Sequence, residues 1–203
     1  MDNLLVKKTL ILFQGDSITD CERRWDNPEN LGDRYVRLLT TMLPNKYLRH
    51  KFKFINRGVS GDKAKDLVCR WDIDCISLPP DWLSILVGIN DTLITTITEF
   101  VEKYRSLLRR TTNELNSRTI MCESFLLSVD NNAYREDLNP KIEVIRKLAK
   151  EYDTVLVPLD KIFHEACSLR TSEYWALDGV HPSPEGHALI AESWIKYLDE
   201  ALV

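Results

Sequence analysis

The chain has 203 residues, of which 44% are hydrophobic and 29% are charged, and its formal net charge is −4. This composition is typical of a globular protein and excludes wholesale disorder, and the slight acidity without any long basic run argues against nucleic acid as a partner. No stretch approaches the ~18 consecutive apolar residues of a membrane-spanning helix, so we expect no membrane partner.

The predicted elements alternate between strands and helices. In chain order they are a strand at 10–13, a helix at 34–43 ended by Pro44, a strand at 52–56, a helix at 63–71, a strand at 82–87, a helix at 97–115, a strand at 119–125, a helix at 138–152, a strand at 154–157, and helices at 161–169 and 185–198. This alternation indicates parallel βαβ units. We expect an α/β fold in a single domain over 1–203: a three-layer α/β/α sandwich, flavodoxin-like, around a five-stranded parallel sheet.

Segments rich in glycine and polar residues follow the first three predicted strands, and a fourth precedes the last helix. They are GDSITD at 15–20, NRGVSGD at 56–62, GIND at 88–91 and DGVHP at 178–182. Ligands of an open parallel sheet bind beyond the carboxyl ends of its strands. The first three segments are therefore expected to line one crevice. The long irregular stretch at 21–33 is either functional or mobile.

Ser17 is the candidate nucleophile, because it follows a strand on a turn that begins at Gly15 and can project its hydroxyl into this crevice. A serine needs a base to become nucleophilic. His181 is the candidate base, since it lies three residues after Asp178 and one local turn brings that carboxylate to the imidazole. The alternatives are a serine that only caps a turn and a plain loop capped by Asp178.

Acyl transfer also needs donors for the negative charge that develops on the carbonyl oxygen. The backbone N–H of Gly61, the side-chain amide of Asn90 and the N–H of Ser17 are the candidates. Taken alone, Gly61 suits an ordinary turn and Asn90 suits a helix cap. Four such segments in this order make joint coincidence improbable.

In this order, Ser17, Gly61, Asn90 and His181 resemble the four motif blocks of the SGNH, or GDSL-type, hydrolase superfamily, and the blocks span nearly the whole chain. The resemblance implies the SGNH hydrolase fold and a serine esterase without metal or organic cofactor. It implies Ser17 as nucleophile, His181 as general base and Asp178 as the group that orients the histidine. It also implies an oxyanion hole formed by the Ser17 and Gly61 N–H groups and the Asn90 side chain.

A narrower resemblance points to the substrate. The motifs GDSITD at 15–20, Tyr35-Val36, Arg70-Trp71, PDW at 80–82 and GIND at 88–91 are similar to those of cytoplasmic acetylxylooligosaccharide esterases, which remove acetyl groups from imported xylo-oligosaccharides. The expected partner is thus a small-molecule ester, an acetylated oligosaccharide. The candidate substrate-binding residues are Asp16, Trp25 and Trp71, although tryptophans are as commonly core residues.

Three other functions remain open at this point. A lysophospholipase would need an extended apolar channel, and no strongly apolar insertion supplies one. An acyl-CoA thioesterase would profit from basic residues at the site, and Arg23 and Arg24 provide two. A non-catalytic carbohydrate-binding relative would be expected to have lost one of the catalytic residues. A homo-oligomer is possible, with Trp194 and Tyr197 either at a subunit contact or in the core.

The cysteines and the N-terminal region indicate the compartment. Five cysteines occur without any C-x-x-C spacing, which suggests free thiols in a reducing compartment. The apolar stretch at 10–13 is too short for the central region of a signal peptide. We therefore expect a cytoplasmic protein.

Overall fold

The computed structural model describes residues 7–127 and 132–202, and its strands form one parallel sheet. The strands in these ranges are β1 Lys7–Gly15, β2 His50–Asn56, β3 Trp82–Leu86, β4 Arg118–Cys122 and β5 Val155–Val157. Their order in the sheet is β2-β1-β3-β4-β5, and every neighbouring pair is parallel. This is the flavodoxin-like order, and the predicted five-stranded sheet is confirmed.

Helices connect the strands. They are α1 Ser17–Asp20, α2 Tyr35–Lys46, α3 Ala64–Trp71, α4 Ile97–Glu114, α5 Asn132–Glu151, α6 Leu159–Ala166, α7 Ser172–Trp175 and α8 Pro184–Glu200. A π-helical turn, Asp72–Ile76, extends α3, and a 3-10 turn, Ile89–Asp91, follows β3. Among the described residues, no helix is both long and apolar enough to cross a bilayer.

The sheet is covered on both faces because successive strand residues point to opposite sides. On one face, Ile11 and Phe13 pack with residues of α2, α6 and α8. On the other face, Leu12 and Leu83 pack with residues of α3, α4 and α5. Every residue of β3 is buried, as expected for a central strand of a parallel sheet between two helical layers. The three-layer architecture is therefore confirmed.

Several boundaries differ from the prediction. The fourth strand ends at Cys122 rather than at 125, because its neighbour β5 has only three residues and its last pairing is with Cys122. The apolar residues that follow are buried without strand pairing, and the N–H of Leu127 donates to the carbonyl oxygen of Gly179. The polar pair Glu123-Ser124 directly after Cys122 coincides with this end of the strand.

Two prolines lie inside helices rather than at their ends. Helix α2 continues past Pro44 to Lys46, and α5 begins at Asn132, not at 138, so that Pro140 lies in its interior. Proline is tolerated when the neighbouring backbone groups need no intrahelical partner or when tertiary packing outweighs the lost bond. In α5, Leu138 and Ile142 on either side of the proline are buried in a shared apolar cluster. Tertiary packing thus compensates for the backbone hydrogen bond that Pro140 cannot donate.

Candidate active site

Ser17, His181 and Asp178 form a continuous hydrogen-bonded chain. The Oγ of Ser17 lies 3.0 Å from Nε2 of His181, and Nδ1 of His181 lies 2.6 Å from Oδ2 of Asp178. The histidine is thus held at one nitrogen by a carboxylate while the other nitrogen faces a hydroxyl. This geometry allows the imidazole to accept the proton of Ser17 and the carboxylate to stabilise the resulting imidazolium.

Ser17 is positioned by the tight exit of β1. It is the first residue of α1, and the carboxylate of Asp16 caps this helix by accepting the N–H of Ile18 at 3.0 Å. Gly15 is required by close approach, because a Cβ atom there would collide with the Leu86 carbonyl oxygen and the Thr19 hydroxyl. The turn therefore presents the Ser17 hydroxyl at the carboxyl edge of the sheet.

The loop before α8 holds the histidine. The other carboxylate oxygen of Asp178, Oδ1, accepts the backbone N–H groups of Val180 and His181 at 2.9 and 2.7 Å. Although burial opposes ionisation, the hydrogen bonds from His181 and Val180 hold the pKa of Asp178 below its usual range. The Asp178 carboxylate is thus held as an anion against the imidazole. Directly after this loop, Ser183 caps α8 by accepting the N–H of Gly186 at 3.0 Å.

Gly61 and Asn90 flank Ser17 along the edge of the sheet. They follow β2 and β3, the two neighbours of β1. The side-chain amide of Asn90 donates to the carbonyl oxygen of Asp62 at 3.1 Å, and an amide nitrogen carries a second hydrogen. Gly61 has φ +85°, and a Cβ atom on it would meet nothing within 4 Å, so no neighbouring group crowds that side of its backbone. The structure brings the three loops together.

A cavity of about 500 Å³ opens beside Ser17 and His181. Its lining includes three charged residues of the long loop and the segment that follows it, Glu22, Asp33 and Arg34. The irregular stretch at 21–33 therefore contributes to the site.

The structure buries two of the three predicted substrate-binding residues. Trp71 is fully buried and packs in the core on the α3 side of the sheet, so it cannot reach a substrate. Asp16 is 1% exposed and its carboxylate caps α1, so its position directly before Ser17 has a structural role. Burial raises the pKa of Asp16 to about 7. Trp25 is 58% exposed, with the guanidinium of Arg23 stacked 4.3 Å from its ring centroid. A substrate contact at Trp25 stays a prediction.

The sequence gives no signal for two other cavity-lining residues, Cys21 and His187. His187, on α8, is 5% exposed, and its ring stacks on Tyr35 with centroids 6.3 Å apart. Burial lowers its pKa to about 3, so it is neutral at physiological pH. The Sγ of Cys21 lies 4.0 Å from Nε2 of His187, and burial raises the pKa of this thiol well above its usual range. Neither residue is ionised beside the serine.

Residues 7–127 and 132–202 contain no group of three or more histidine, cysteine, aspartate or glutamate side chains arranged to hold a metal ion.

Comparison with known proteins identifies a matching family and similar structures. The GDSL-like lipase/acylhydrolase family matches residues 13–189. An acetylxylan esterase of Geobacillus stearothermophilus is 29% identical over 201 residues, which cover 92% of each chain. The crystal structure of Axe2, an acetylxylan esterase from that organism, superposes with a TM-score of 0.86 at 28% identity over 96% of each chain. A Parabacteroides merdae protein named as a GDSL-like lipase superposes with a TM-score of 0.89 at 36% identity, over 95% of this chain and 96% of its own.

Proposed function

The chain belongs to the GDSL-like lipase/acylhydrolase family, and from that premise we propose that it is a serine esterase that removes short acyl groups, acetyl foremost, from hydroxyl groups of carbohydrates such as xylo-oligosaccharides. The observation that carries the proposal is the unbroken chain from Ser17 Oγ through His181 to Asp178. Two of the related Axe2 structures are of catalytic mutants, one with a serine and one with an aspartate replaced by alanine.

The proposed reaction proceeds through an acyl-enzyme. Ser17 Oγ attacks the ester carbonyl carbon while Nε2 of His181 takes its proton, and Asp178 stabilises the imidazolium. The Ser17 and Gly61 N–H groups and the Asn90 amide stabilise the tetrahedral oxyanion. The intermediate collapses, and the imidazolium returns the proton to the leaving sugar oxygen. Water, deprotonated by the same histidine, then attacks the acyl-enzyme, and the imidazolium returns this proton to Ser17 Oγ as the acid is released.

The charged lining of the cavity supports a polar alcohol group over a lipid. Glu22, Asp33 and Arg34 offer hydrogen-bond acceptors and donors suited to sugar hydroxyls, whereas a lysophospholipid chain would need an apolar channel. The exposed indole of Trp25 can stack on the apolar face of a sugar ring. The acetylxylan esterase relatives point to the same substrate class.

The acyl-CoA alternative has less support, because one of its two arginines is buried. Arg23 is 7% exposed, donates to the Gly58 carbonyl oxygen and lies 3.5 Å from Asp20. Arg24 pairs with Asp26 at 3.0 Å. Arg23 is therefore occupied by other partners, whereas Arg24 makes only an exposed surface ion pair. The intact hydrogen-bonded chain at Ser17 likewise disfavours a non-catalytic binding protein.

The test compares the wild-type protein with Ser17→Ala on acetyl, butyryl and octanoyl p-nitrophenyl esters, acetylated xylo-oligosaccharides and acetyl-CoA. We expect the highest kcat/KM on acetyl esters and acetylated oligosaccharides, with Ser17→Ala losing at least ~10³-fold. Wild-type rates in Ser17→Ala would overturn the serine mechanism. A preference for octanoyl esters or acetyl-CoA would overturn the substrate class and leave the mechanism intact. The predicted cytoplasmic location can be checked by cell fractionation.

A further inference from the structure

The Arg70 side chain, near the end of α3, bonds to the end of β1 and to the loop after β2. Its Nε donates to Oδ2 of Asp62, in the loop after β2, at 2.8 Å. Its Nη1 donates to Oε1 of Gln14 at 2.8 Å, and its Nη2 donates to the carbonyl oxygen of Gly15 at 3.4 Å. Gly15 lies two residues before Ser17. One guanidinium thus joins the exits of β1 and β2.

Asp62 extends this connection to the third loop. Its carboxylate accepts from Arg70, while its carbonyl oxygen accepts from the side-chain amide of Asn90 at 3.1 Å. It also directly follows Gly61 in the chain. The three proposed oxyanion donors, from Ser17, Gly61 and Asn90, are therefore all connected to the Arg70–Asp62 ion pair.

Gly61 itself has little to hold it in place. It is exposed, adopts a left-handed φ of +85° and has open space where a Cβ atom would lie. Its position must be set by its neighbours in the chain. On one side of Gly61, the N–H of Ser60 donates to Oδ2 of Asp20 at 3.1 Å. On the other side, the carboxylate of Asp62 accepts from Nε of Arg70.

The Arg70–Asp62 ion pair is largely shielded from solvent. The side chains of Arg70 and Asp62 are 16% and 14% exposed. Burial raises the pKa of Asp62, and the Arg70 guanidinium opposes that rise. Arg70 also lies 3.2 Å from Asp74, which in turn pairs with Arg57 at 3.4 Å. Removing one member leaves a partly buried charge without its partner, so the loop must move to find solvent.

We propose that Arg70 is a positioning residue for the reaction: by bonding Asp62 and the exit of β1 at once, it fixes the Gly61 N–H and the Asn90 amide relative to Ser17. The planar guanidinium suits this task because it presents several donors in fixed directions, which a lysine ammonium does not. The inference rests on the proposed function, since it assigns a support to the proposed oxyanion hole.

The first test measures kcat, KM and thermal stability of Arg70→Met and Arg70→Lys with p-nitrophenyl acetate. We expect kcat to fall roughly 10- to 100-fold in Arg70→Met, with KM changed less than about threefold, because an oxyanion donor acts in the transition state. Arg70→Lys should recover part of the loss. The matched control is Arg110→Met, which breaks the pairs of Arg110 with Asp72 and Glu114 on the outer side of the same region and should leave kcat unchanged.

If Arg70→Met does not fold, Arg70→Lys and Asp62→Asn provide the same test, since Asp62→Asn keeps an acceptor oxygen but removes the charge. A several-fold loss of kcat in both supports the proposal. Wild-type kcat in both, or an equal loss in Arg110→Met, overturns it.

A double-mutant cycle distinguishes positioning from general destabilisation. Asn90→Ala removes one proposed donor, so Arg70→Met should cost less in that background than in the wild type. If the loss of kcat in the double variant equals the product of the two single losses, Arg70 and Asn90 act independently and the proposal is contradicted. The outcome is separate from that of the proposed function: if Ser17→Ala abolishes activity while Arg70→Met retains full kcat, the esterase mechanism stands and the positioning role fails.

Discussion

At the scale of single residues, the site combines one exposed histidine with carboxylates in contrasting environments. Asp178 accepts three N–H groups from the segment it orients, so it is held as an anion. Asp16 is buried directly before Ser17 in the chain, and its Oδ2 has no hydrogen-bond partner. The same functional group thus has a pKa below its usual range at one position and about 7 at the other. Desolvation and hydrogen bonding decide between these states.

The Asp16 carboxyl predicts a pH dependence of stability. Its pKa is about 7 in the folded protein and 3.8 as the unperturbed reference, so the folded state binds the extra proton between these values. The free energy of unfolding therefore falls as pH rises from about 4 to 7. Asp16→Asn keeps an acceptor for the Ile18 N–H but cannot ionise. From pH 5 to pH 8, the free energy of unfolding should fall by about 2 to 3 kcal/mol more in the wild type than in Asp16→Asn. Urea unfolding at the two pH values measures this difference.

His187 has the opposite effect on the pH dependence of stability. Burial lowers its pKa to about 3, so the free energy of unfolding falls as pH falls below about 6.5, the unperturbed pKa. It is present in both proteins, so its contribution cancels in the comparison. Asp26→Asn, at an exposed surface pair, is the control and should follow the wild-type curve. Parallel curves for Asp16→Asn and the wild type would refute a raised pKa at Asp16.

At the scale of elements, strand exits and helix starts position the chemical groups. Ser17 begins α1, and Asn90 lies in the 3-10 turn after β3. His181 lies just before the cap of α8, where the Ser183 hydroxyl accepts from Gly186 and donates to the carbonyl oxygen of Tyr174 at 2.7 Å. The cap therefore both starts a helix and ties the histidine loop to α7.

Ser183→Ala should lower both stability and turnover. It removes an N-cap and the bond to Tyr174, for an expected loss of about 1 to 2 kcal/mol in the free energy of unfolding. Because His181 lies two residues away, kcat should also fall a few-fold. Thr96→Ala removes the cap of α4, where Thr96 accepts from Glu99 at 3.3 Å, and should lower stability without changing kcat. Equal kcat in the two variants would show that the Ser183 cap is structural only.

At the scale of the whole molecule, the tryptophans show how burial decides role. Trp71 and Trp194 are both fully buried, on opposite faces of the sheet. The indole N–H of Trp194 donates to the Ser84 hydroxyl on β3 at 3.0 Å, which attaches α8 to the centre of the sheet. Of the two alternatives for Trp194, a subunit contact or the core, the structure supports the core. Trp25 alone of these three is largely exposed.

Trp71→Ala should destabilise the protein by about 3 to 5 kcal/mol, because it leaves a large cavity beneath α3. Trp25→Ala should change stability by less than about 0.5 kcal/mol, since the ring is mostly in solvent. Urea unfolding of both variants checks this contrast. Similar stabilities would contradict the burial assigned to Trp71. If Trp25 contacts the sugar, Trp25→Ala should also raise KM for acetylated oligosaccharides.

Sequence patterns were sufficient to predict the alternation of elements, the order of the four motif segments and the pairing of Asp178 with His181. These features are local, because strand periodicity, turn glycines and a three-residue spacing act over a few residues. The tertiary structure alone decided which side chains meet over long separations. Ser17 and His181 lie 164 residues apart, and the contacts of Arg70 with Asp62 and Gly15 depend on how α3 packs on the sheet. The burial of Trp71 and Asp16 and the early end of β4 have the same origin, since each depends on neighbours supplied by distant parts of the chain.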